Sequence, residues 1–397
     1  MLSKKGEISM KNMVFLYCMM LLLTGCSQKI QQKSVIAEIP MQEINVYYEY
    51  NKRPKSTFEP ENSSLLLGAF IKEDKTIESI EDFEKITEKS HQIYGFTATL
   101  TEQFPMTDIL ECYVKEKIPL LALYPPDRNH PFQEKWLEQA AEKISQYRIP
   151  VLIDFYPNGA DYGSGEDYKA YYQKAREIFR KKAPNTVFIW SMSTDDLNTW
   201  QKYYPEDVDW IGLCVYENGG EQGKNVSEII QQWYKIFQKE KPLLLSQVGI
   251  SHYSDKDAKY TEQQASQEIT RLYESLRQYP QIKAVVYRSI DFTNQKIKAI
   301  QGENYTITQN QKVLTAYQNA IQTSRQCQRN WYKSFLKAYQ QADIFYLSEN
   351  AVVEEMQTQI ANTQDFIFIH GEKYIPADKI IGYDYRIQND AVFFYKQ

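Results

Sequence analysis

The sequence predicts an α/β fold, a (β/α)8 barrel, with a signal and tether before it and a small α+β domain after it. Strand-like apolar runs alternate with helix-length amphipathic segments, eight such runs occur, and they span roughly 255 residues. An open doubly wound sheet would have five to seven strands and a glycine-rich first turn. The chain has no G-x-G-x-x-G motif, which favours the closed barrel.

The first 26 residues predict a lipoprotein signal peptide. Basic Lys4 and Lys5 precede an apolar run from Met13 to Leu23, which is too short to span a bilayer. The run ends in Leu23-Thr24-Gly25-Cys26, which resembles the lipobox of bacterial lipoproteins. The resemblance implies export, lipidation of Cys26 and firm anchoring at the extracytoplasmic face of the cell membrane.

Residues 27–63 predict a tether, because they are rich in Gln, Lys, Glu and Ser and have little apolar periodicity. One short strand is expected within it, from Ile44 to Tyr48. The barrel follows at residues 64–322. Its eight predicted strands are Leu65 to Phe70, Gln92 to Thr97, Pro119 to Tyr124, Pro150 to Tyr156, Thr186 to Ser191, Trp210 to Tyr216, Pro242 to Val248 and Ile282 to Arg288.

Helix starts and a change of pattern complete the assignment. Ser164-Gly165-Glu166-Asp167 is a capping pattern ahead of one helix, and Asn225 opens another. After Gln322 the alternation stops, and residues 323–397 are assigned to the small α+β domain. Its expected elements are a helix from Trp331 to Gln341 and strands at Asp365 to His370, Lys373 to Ile375 and Ala391 to Tyr395.

Composition narrows the classes of partner and cofactor. The formal charge of −5 provides no basic field for a nucleic-acid backbone, so nucleic acid is not an expected partner. Three cysteines remain after Cys26, namely Cys112, Cys214 and Cys327, and their spacing is neither a disulfide framework nor a metal-ligand set. No metal and no cofactor is predicted. The oligomeric state stays open.

Short motifs spread through the barrel carry a family resemblance. They are, in chain order, Leu66-Leu67-Gly68-Ala69, Ile149-Pro150-Val151-Leu152, Asn158-Gly159, Gly165-Glu166-Asp167-Tyr168, Phe188-Ile189-Trp190-Ser191, Tyr203-Tyr204-Pro205, Val208-Asp209-Trp210-Ile211-Gly212-Leu213, Tyr216, Lys241-Pro242, Gly249 and Ile282-Lys283-Ala284-Val285-Val286. With this order and spacing, the barrel resembles glycoside hydrolase family 26, whose best-known members are β-mannanases. The resemblance implies a polysaccharide ligand and two catalytic glutamates, at the ends of the fourth and seventh strands.

Both glutamate positions are substituted in this chain. In Lys241-Pro242-Leu243-Leu244-Leu245-Ser246-Gln247 the nucleophile position holds Gln247, whose amide cannot readily form a glycosyl ester. In the fourth strand, alignment on Asn158-Gly159 places Tyr156 at the acid/base position, whereas counting without a gap from Pro150 places Asn158 there. Neither residue is a carboxylic acid.

Three carboxylates near the strand ends are candidate surrogates: Asp154, Asp161 and Glu217. Strand alternation gives Asp154 the same inward parity as Tyr156, so it is expected to project into the barrel. The alternative for Asp154 is a structural role, hydrogen-bonded to a tyrosine or to Arg288 across the barrel. Asp161 and Glu217 are expected in solvated loops.

Aromatic and amide side chains at the same ends are candidate sugar contacts. Trp190 and Tyr216 match cleft positions of the family, and Tyr287 lies at the end of the eighth strand. Asn158 and Gln247 would offer hydrogen-bond donors and acceptors to hydroxyl groups without the cost of desolvating a charge.

Three functional hypotheses follow. The first is a surface lipoprotein whose catalytically degenerate barrel binds a polysaccharide, β-mannan or a related glycan. The second is a glycoside hydrolase of the endo-β-mannanase type whose mechanism uses displaced carboxylates. The third is a scaffold for protein interactions in the cell envelope.

Overall fold

The computed structural model describes residues 42–49, 56–60, 65–100, 104–147, 149–219, 226–293, 302–322, 331–388 and 391–396. The signal peptide with Cys26 lies outside these residues, as does most of the tether. None of the described helices is long and apolar enough to cross a lipid bilayer. The described chain forms two compact units: one contains Leu336–Gly382, and the other contains Asn45–Phe335 together with the C-terminal strands.

Eight parallel strands close into a barrel, which confirms the predicted fold class. The strands are β2 (Leu66–Phe70), β3 (Ile93–Thr99), β4 (Ile118–Tyr124), β5 (Val151–Phe155), β6 (Thr186–Ser193), β7 (Trp210–Glu217), β8 (Leu243–Ile250) and β11 (Ile282–Arg288). They pair in chain order, and β11 closes the ring by pairing with both β8 and β2. All eight predicted strands are present, and their ends differ from the prediction by at most two residues.

Amphipathic helices alternate with these strands. They are α1 (Ile80–Thr87), α2 (Met106–Val114), α3 (Glu134–Ile144), α4 (Gly165–Lys182), α5 (Val226–Phe237), α6 (Glu262–Leu276) and α7 (Gln311–Gln322). The predicted cap of α4 is confirmed, because the Ser164 side chain accepts a hydrogen bond from the Asp167 backbone N–H. A short hairpin, β9 (Tyr253–Ser254) and β10 (Lys259–Tyr260), follows β8.

Strand alternation divides the apolar side chains into two cores. A small core fills the barrel and includes Leu120, Leu152, Ile189 and Leu244. A much larger core joins the outer faces of the strands to the helices. Successive residues of a strand therefore alternate: one side chain points toward the barrel axis and the next points outward into the helical layer.

A β-bulge interrupts this alternation in β8. Leu213 of β7 pairs with Leu245, but the next residue, Cys214, pairs with Gln247, so Ser246 is an extra residue. Leu245 and Val248 both pack in the outer core. Ser246 and Gln247 are adjacent in sequence and would normally point to opposite faces of the sheet. Because of the bulge, Ser246 makes its side-chain contact in the barrel interior and Gln247 makes its contacts at the barrel mouth.

Two segments assigned to the tether are part of the folded protein. Strand β1 (Gln42–Glu49) contains the predicted short strand and pairs in parallel with β17 (Ala391–Lys396). Residues 56–60 contact the N-terminal end of the barrel, where the Trp210 indole N–H donates to the Thr57 carbonyl at 3.1 Å. The rest of the tether predicted for residues 27–63 lies outside the described residues.

The C-terminal segment contains strands and one short helix. They are β12 (Trp331–Gln341), β13 (Ile344–Ser348), α8 (Glu349–Glu355), β14 (Ile367–Ile369), β15 (Glu372–Pro376), β16 (Tyr383–Gln388) and β17. The helix predicted at residues 331–341 is wrong. This segment forms β12, which pairs antiparallel with β13 across a two-residue loop at Ala342, where φ is 52°. Cross-strand pairing decided the conformation, because a short mixed segment carries no strong period of its own.

Candidate functional site

The C-terminal ends of the barrel strands carry a connected polar cluster, which we call the mouth cluster. Active sites of this fold occupy the same end of the barrel. The cluster consists of Glu73 in the loop after β2, Thr97 in β3, Tyr124 in β4, Tyr216 in β7, Gln247 in β8 and Arg288 in β11. Six elements that are distant in sequence thus contribute to one site.

Gln247 is the centre of the mouth cluster. Its Oε1 atom accepts one hydrogen bond from the Tyr216 hydroxyl and one from Arg288 Nη1, each at 2.8 Å. The side chain is buried, its Nε2 group makes no hydrogen bond of full geometry with the described residues, and the Tyr124 hydroxyl lies near the amide. Because two donors hold the oxygen, the amide orientation is determined, and the NH₂ group can donate to a ligand, to water or to the Tyr124 hydroxyl.

Arg288 and Glu73 form a two-point ion pair. Arg288 Nε lies 3.0 Å from Glu73 Oε2, and Arg288 Nη2 lies 2.8 Å from Glu73 Oε1. The guanidinium carbon also lies 5.5 Å from the centre of the Phe70 ring. Burial lowers the pKa of Arg288, but the neighbouring Tyr216 hydroxyl and Glu73 carboxylate outweigh burial and raise this pKa above its ordinary value. The predicted alternative of an Asp154 to Arg288 pair is therefore wrong, because Glu73 occupies that role.

Asp154 lies fully buried inside the barrel, as its parity predicts. The hydroxyl groups of Ser191 and Ser246, which lie 2.9 Å apart, face it and lower the pKa of its carboxyl group. Burial outweighs both hydroxyls and raises this pKa to about 7. At neutral pH, Asp154 is thus divided between its protonated and ionised forms.

Tyr156 turns away from the mouth. Strand β5 ends at Phe155, and Tyr156 has a left-handed φ of 47°, which ends the alternation. Its ring stacks on Phe155 with centroids 4.3 Å apart, and its hydroxyl donates to the Pro131 carbonyl at 2.9 Å. The inward parity predicted for Tyr156 is wrong, so this residue does not hold the acid/base position.

Asn158 remains beside the end of the barrel. Its backbone N–H donates to the Ser191 carbonyl of β6 at 3.2 Å, and its φ of 62° is left-handed. Its Oδ1 atom is buried and makes no hydrogen bond in the described chain. Of the two candidates for the acid/base position, the structure thus places Asn158 near the strand ends.

Trp190 and Tyr287 lie in the helical layer, contrary to the expectation that they line the mouth. Trp190 is buried and makes edge contacts with Tyr204 and Phe237. The Tyr287 hydroxyl bonds to the backbone of Ile250, and its ring packs against Tyr317. Each is a direct sequence neighbour of a residue that faces the barrel interior, so its own side chain points outward by strand alternation. Tyr216, by contrast, lies in the mouth cluster.

The other two candidate surrogates also lie outside the barrel interior. Glu217 faces α6, and burial together with the nearby Glu268 carboxylate raises its pKa to about 7. Asp161 is exposed in a short 3-10 helix, Gly159–Tyr162. Asp154 is therefore the one candidate surrogate inside the barrel. Within the described residues, no group of three or more His, Cys, Asp or Glu side chains is arranged to hold a metal ion.

Glu73 is the charged residue of the mouth cluster that sequence reasoning missed. It comes three residues after the first barrel strand, which ends at Phe70. The rule that sites form at the C-terminal ends of strands would have marked it as a candidate. Its partner Arg288 is 215 residues away in sequence, so the pairing itself becomes visible only when the barrel closes.

No family model and no curated protein sequence matches this chain. Among solved structures, it is similar to a GH113 β-1,4-mannanase, with 9% identity and a TM-score of 0.44 over 66% of this chain and 99% of that chain. It is also similar to GH26A from Muricauda sp., with 15% identity and a TM-score of 0.36 over 58% of this chain and 85% of that one. A third similar structure is Thermotoga maritima Cel5A in complex with mannotriose, with 12% identity and a TM-score of 0.45 over 65% of this chain and 98% of that one.

These neighbours are glycoside hydrolases. At such identities and scores, the likeness adds nothing to the closed parallel barrel that the strand pairing shows directly.

Proposed function

We propose that the barrel mouth binds a polysaccharide, β-mannan or a related glycan, without hydrolysing it. The observation that carries this proposal is the buried amide of Gln247, held by Tyr216 and Arg288 at the position where the resemblance to family 26 implies a nucleophile. We further propose that the protein is a family 26 relative with a degenerate catalytic site.

The chemistry of retaining hydrolysis explains why this site is proposed as a binding site. That reaction needs a carboxylate nucleophile and a second carboxylic acid about 5 to 5.5 Å away. Gln247 supplies an amide, and the Glu73 carboxylate is engaged in a two-point ion pair with Arg288. Loss of the nucleophile alone would cost several orders of magnitude in rate, at about 1.4 kcal/mol for each tenfold.

The same groups suit recognition of sugar hydroxyls. The NH₂ of Gln247 is a hydrogen-bond donor and the buried Oδ1 of Asn158 is an acceptor, and neither makes a hydrogen bond of full geometry among the described residues. Tyr216, whose hydroxyl contacts Gln247, adds a half-buried aromatic ring to the mouth cluster. A ligand that satisfied both groups would remove a cost of about 1 to 3 kcal/mol for each unpaired buried atom.

One observation favours hydrolysis by an altered mechanism as a second candidate. Asp154 is a buried carboxyl group whose pKa is raised to about 7, and a general acid with such a pKa is well matched to neutral pH. In this alternative, Asp154 protonates the leaving oxygen and an inverting or substrate-assisted route replaces the missing nucleophile.

The deciding experiment uses the mature chain with Cys26 replaced by serine, tested against mannans, glucans and xylans. Retention on the polysaccharide and release of reducing ends are measured on the same samples. We expect retention on at least one glycan and release no greater than that of a mock purification. Release that disappears in Asp154→Asn would support the altered hydrolase, and failure to bind any glycan would reject the proposal.

Membrane anchoring is proposed from the sequence motif at Cys26, which lies outside the described residues. We expect cells that express the full chain to incorporate an alkyne-tagged fatty acid into the protein and to retain it in the membrane fraction. Cys26→Ser should abolish both the label and the retention. A protein that remains labelled after this substitution would contradict lipidation at Cys26.

Gln247→Glu alone is expected to leave reducing-end release at background. The new carboxylate would accept the same two hydrogen bonds from Tyr216 and Arg288, so the variant should fold. The acid/base position would still lack a carboxylic acid, since the resemblance aligns either Tyr156 or Asn158 with it. Release assays with the wild type as the matched control test this prediction. Robust hydrolysis from this single change would show that another residue of the barrel supplies the acid.

A further inference from the structure

Arg288 is the cation of the mouth cluster, and hydrogen bonds account for all of its donors. Its Nε and Nη2 atoms bond to the two oxygens of Glu73, and Nη2 also lies 3.4 Å from the Thr97 hydroxyl. Its Nη1 atom donates to Gln247 at 2.8 Å and lies 3.5 Å from the Tyr216 hydroxyl. A guanidinium has five N–H donors in a planar fork, and no vacant pair remains for a ligand.

The ion pair is nevertheless open to solvent on the Glu73 side. The Glu73 side chain is 29% exposed, whereas that of Arg288 is 11% exposed. Thr97, which is exposed, donates to Glu73 Oε1 at 3.1 Å. The carboxylate of Glu73 therefore lies between Arg288 and any ligand that approaches from this side.

We infer that Glu73 determines specificity by reserving the mouth for neutral glycans and excluding glycans that carry carboxylates, such as polyuronates. This inference rests on the proposed glycan-binding function and narrows the class of ligand. Glu73 acts by occupying the two-point fork of Arg288, which is the natural partner of a uronate carboxylate.

A uronate carboxylate and the Glu73 carboxylate would compete for the same two donors. Displacement of Glu73 would leave its negative charge half-buried and unpaired beside a second negative charge, which is unfavourable in a partly desolvated site. A neutral sugar meets no such penalty, because it brings no second negative charge into the mouth. Removal of the Glu73 charge would instead expose a fork that binds uronates.

The test compares β-1,4-linked manno-oligosaccharides with β-1,4-linked mannuronate oligosaccharides, which differ at one carboxylate in each sugar. Glu73→Gln and Glu73→Ala are measured by titration calorimetry in the full mature chain with Cys26→Ser. The matched control is Glu166→Gln, which removes the same charge from a side chain that is 91% exposed on α4.

We expect the wild type and Glu166→Gln to bind the neutral oligosaccharide and to show no measurable binding of mannuronate. Both Glu73 variants should gain at least tenfold in affinity for mannuronate. This gain should diminish between about 0.05 and 0.5 M salt, because it depends on an attraction between charges.

Three results would overturn the inference: no gain in either Glu73 variant, an equal gain in Glu166→Gln, or tight mannuronate binding by the wild type. The last result is decisive even if the Glu73 variants fail to fold, which thermal melting would reveal. A gain for mannuronate combined with no neutral binding by the wild type would reject the proposed function and still support the role of Glu73.

Discussion

Asp154→Asn is expected to stabilise the protein at pH 8 by roughly 4 kcal/mol relative to the wild type. The Asp154 carboxyl group is fully buried in the barrel, and its pKa rises from 3.8 to about 7 on folding. Above pH 7 the folded protein must hold an ionised carboxylate inside the barrel, whereas the unfolded chain solvates it freely. Asparagine keeps nearly the same shape and carries no charge.

The dependence on pH follows from the direction of the shift. A raised pKa means that folding takes up a proton between pH 3.8 and about 7. The contribution of Asp154 is therefore most favourable below pH 4, decreases as the pH rises, and is lost above about 7. The benefit of Asp154→Asn should consequently be about 2 to 3 kcal/mol larger at pH 8 than at pH 5.

Denaturant unfolding of the wild type and Asp154→Asn at the two pH values measures this difference. The half-buried Glu217 also has a pKa raised to about 7, but it is present in both proteins and cancels from the comparison. Asp161→Asn is the matched control, because Asp161 is exposed, and its effect should stay within about 0.5 kcal/mol at both pH values. An equal effect of Asp154→Asn at pH 5 and pH 8 would contradict the prediction.

Arg288→Met is expected to reduce the free energy of unfolding by about 2 to 4 kcal/mol, between the values for exposed and fully buried ion pairs. The substitution keeps a long apolar side chain over Phe70 but removes both guanidinium donors to Glu73, leaving it the Thr97 hydroxyl, and one of the two donors to Gln247. The cost arises mainly because the Glu73 carboxylate loses its partner in a partly buried position.

A double-mutant cycle with Glu73→Gln separates this cost from the loss of packing. Arg288→Met should cost about 1 to 2 kcal/mol less when Glu73 is already neutral. Arg180→Met is the control, since Arg180 is 61% exposed and pairs with the exposed Asp207. Strict additivity of the Arg288 and Glu73 substitutions would mean that the observed ion pair does not contribute to stability.

The strands of the barrel could be predicted because each one is a short, nearly continuous apolar run. Such runs occur where both faces of a parallel sheet are covered, and β8 is buried at all eight positions. The segment of β12 lacks this signal, and its pairing with β13 decided its conformation. Parity within a strand was predictable at Asp154 but was lost at Tyr156, where a left-handed residue ends β5.

The candidate site was predictable to a similar extent. The spacing after Lys241-Pro242 placed Gln247 at the end of its strand, and its side chain does contact the mouth cluster. Trp190 and Tyr287 were expected at the mouth by family position and strand end, although alternation sends both into the helical layer. Strict use of strand parity would have corrected these two expectations.

The sequence by itself determined the eight strands, their order and the place of Gln247 near the end of its strand, because these features depend on local apolar patterning and residue identity. Only the tertiary structure decided that Glu73 pairs with Arg288 and that burial of Asp154 raises its pKa. The ion pair joins the loop after the first barrel strand to the last strand, and the burial requires all eight strands. Both therefore arise from closure of the barrel, which no local segment encodes.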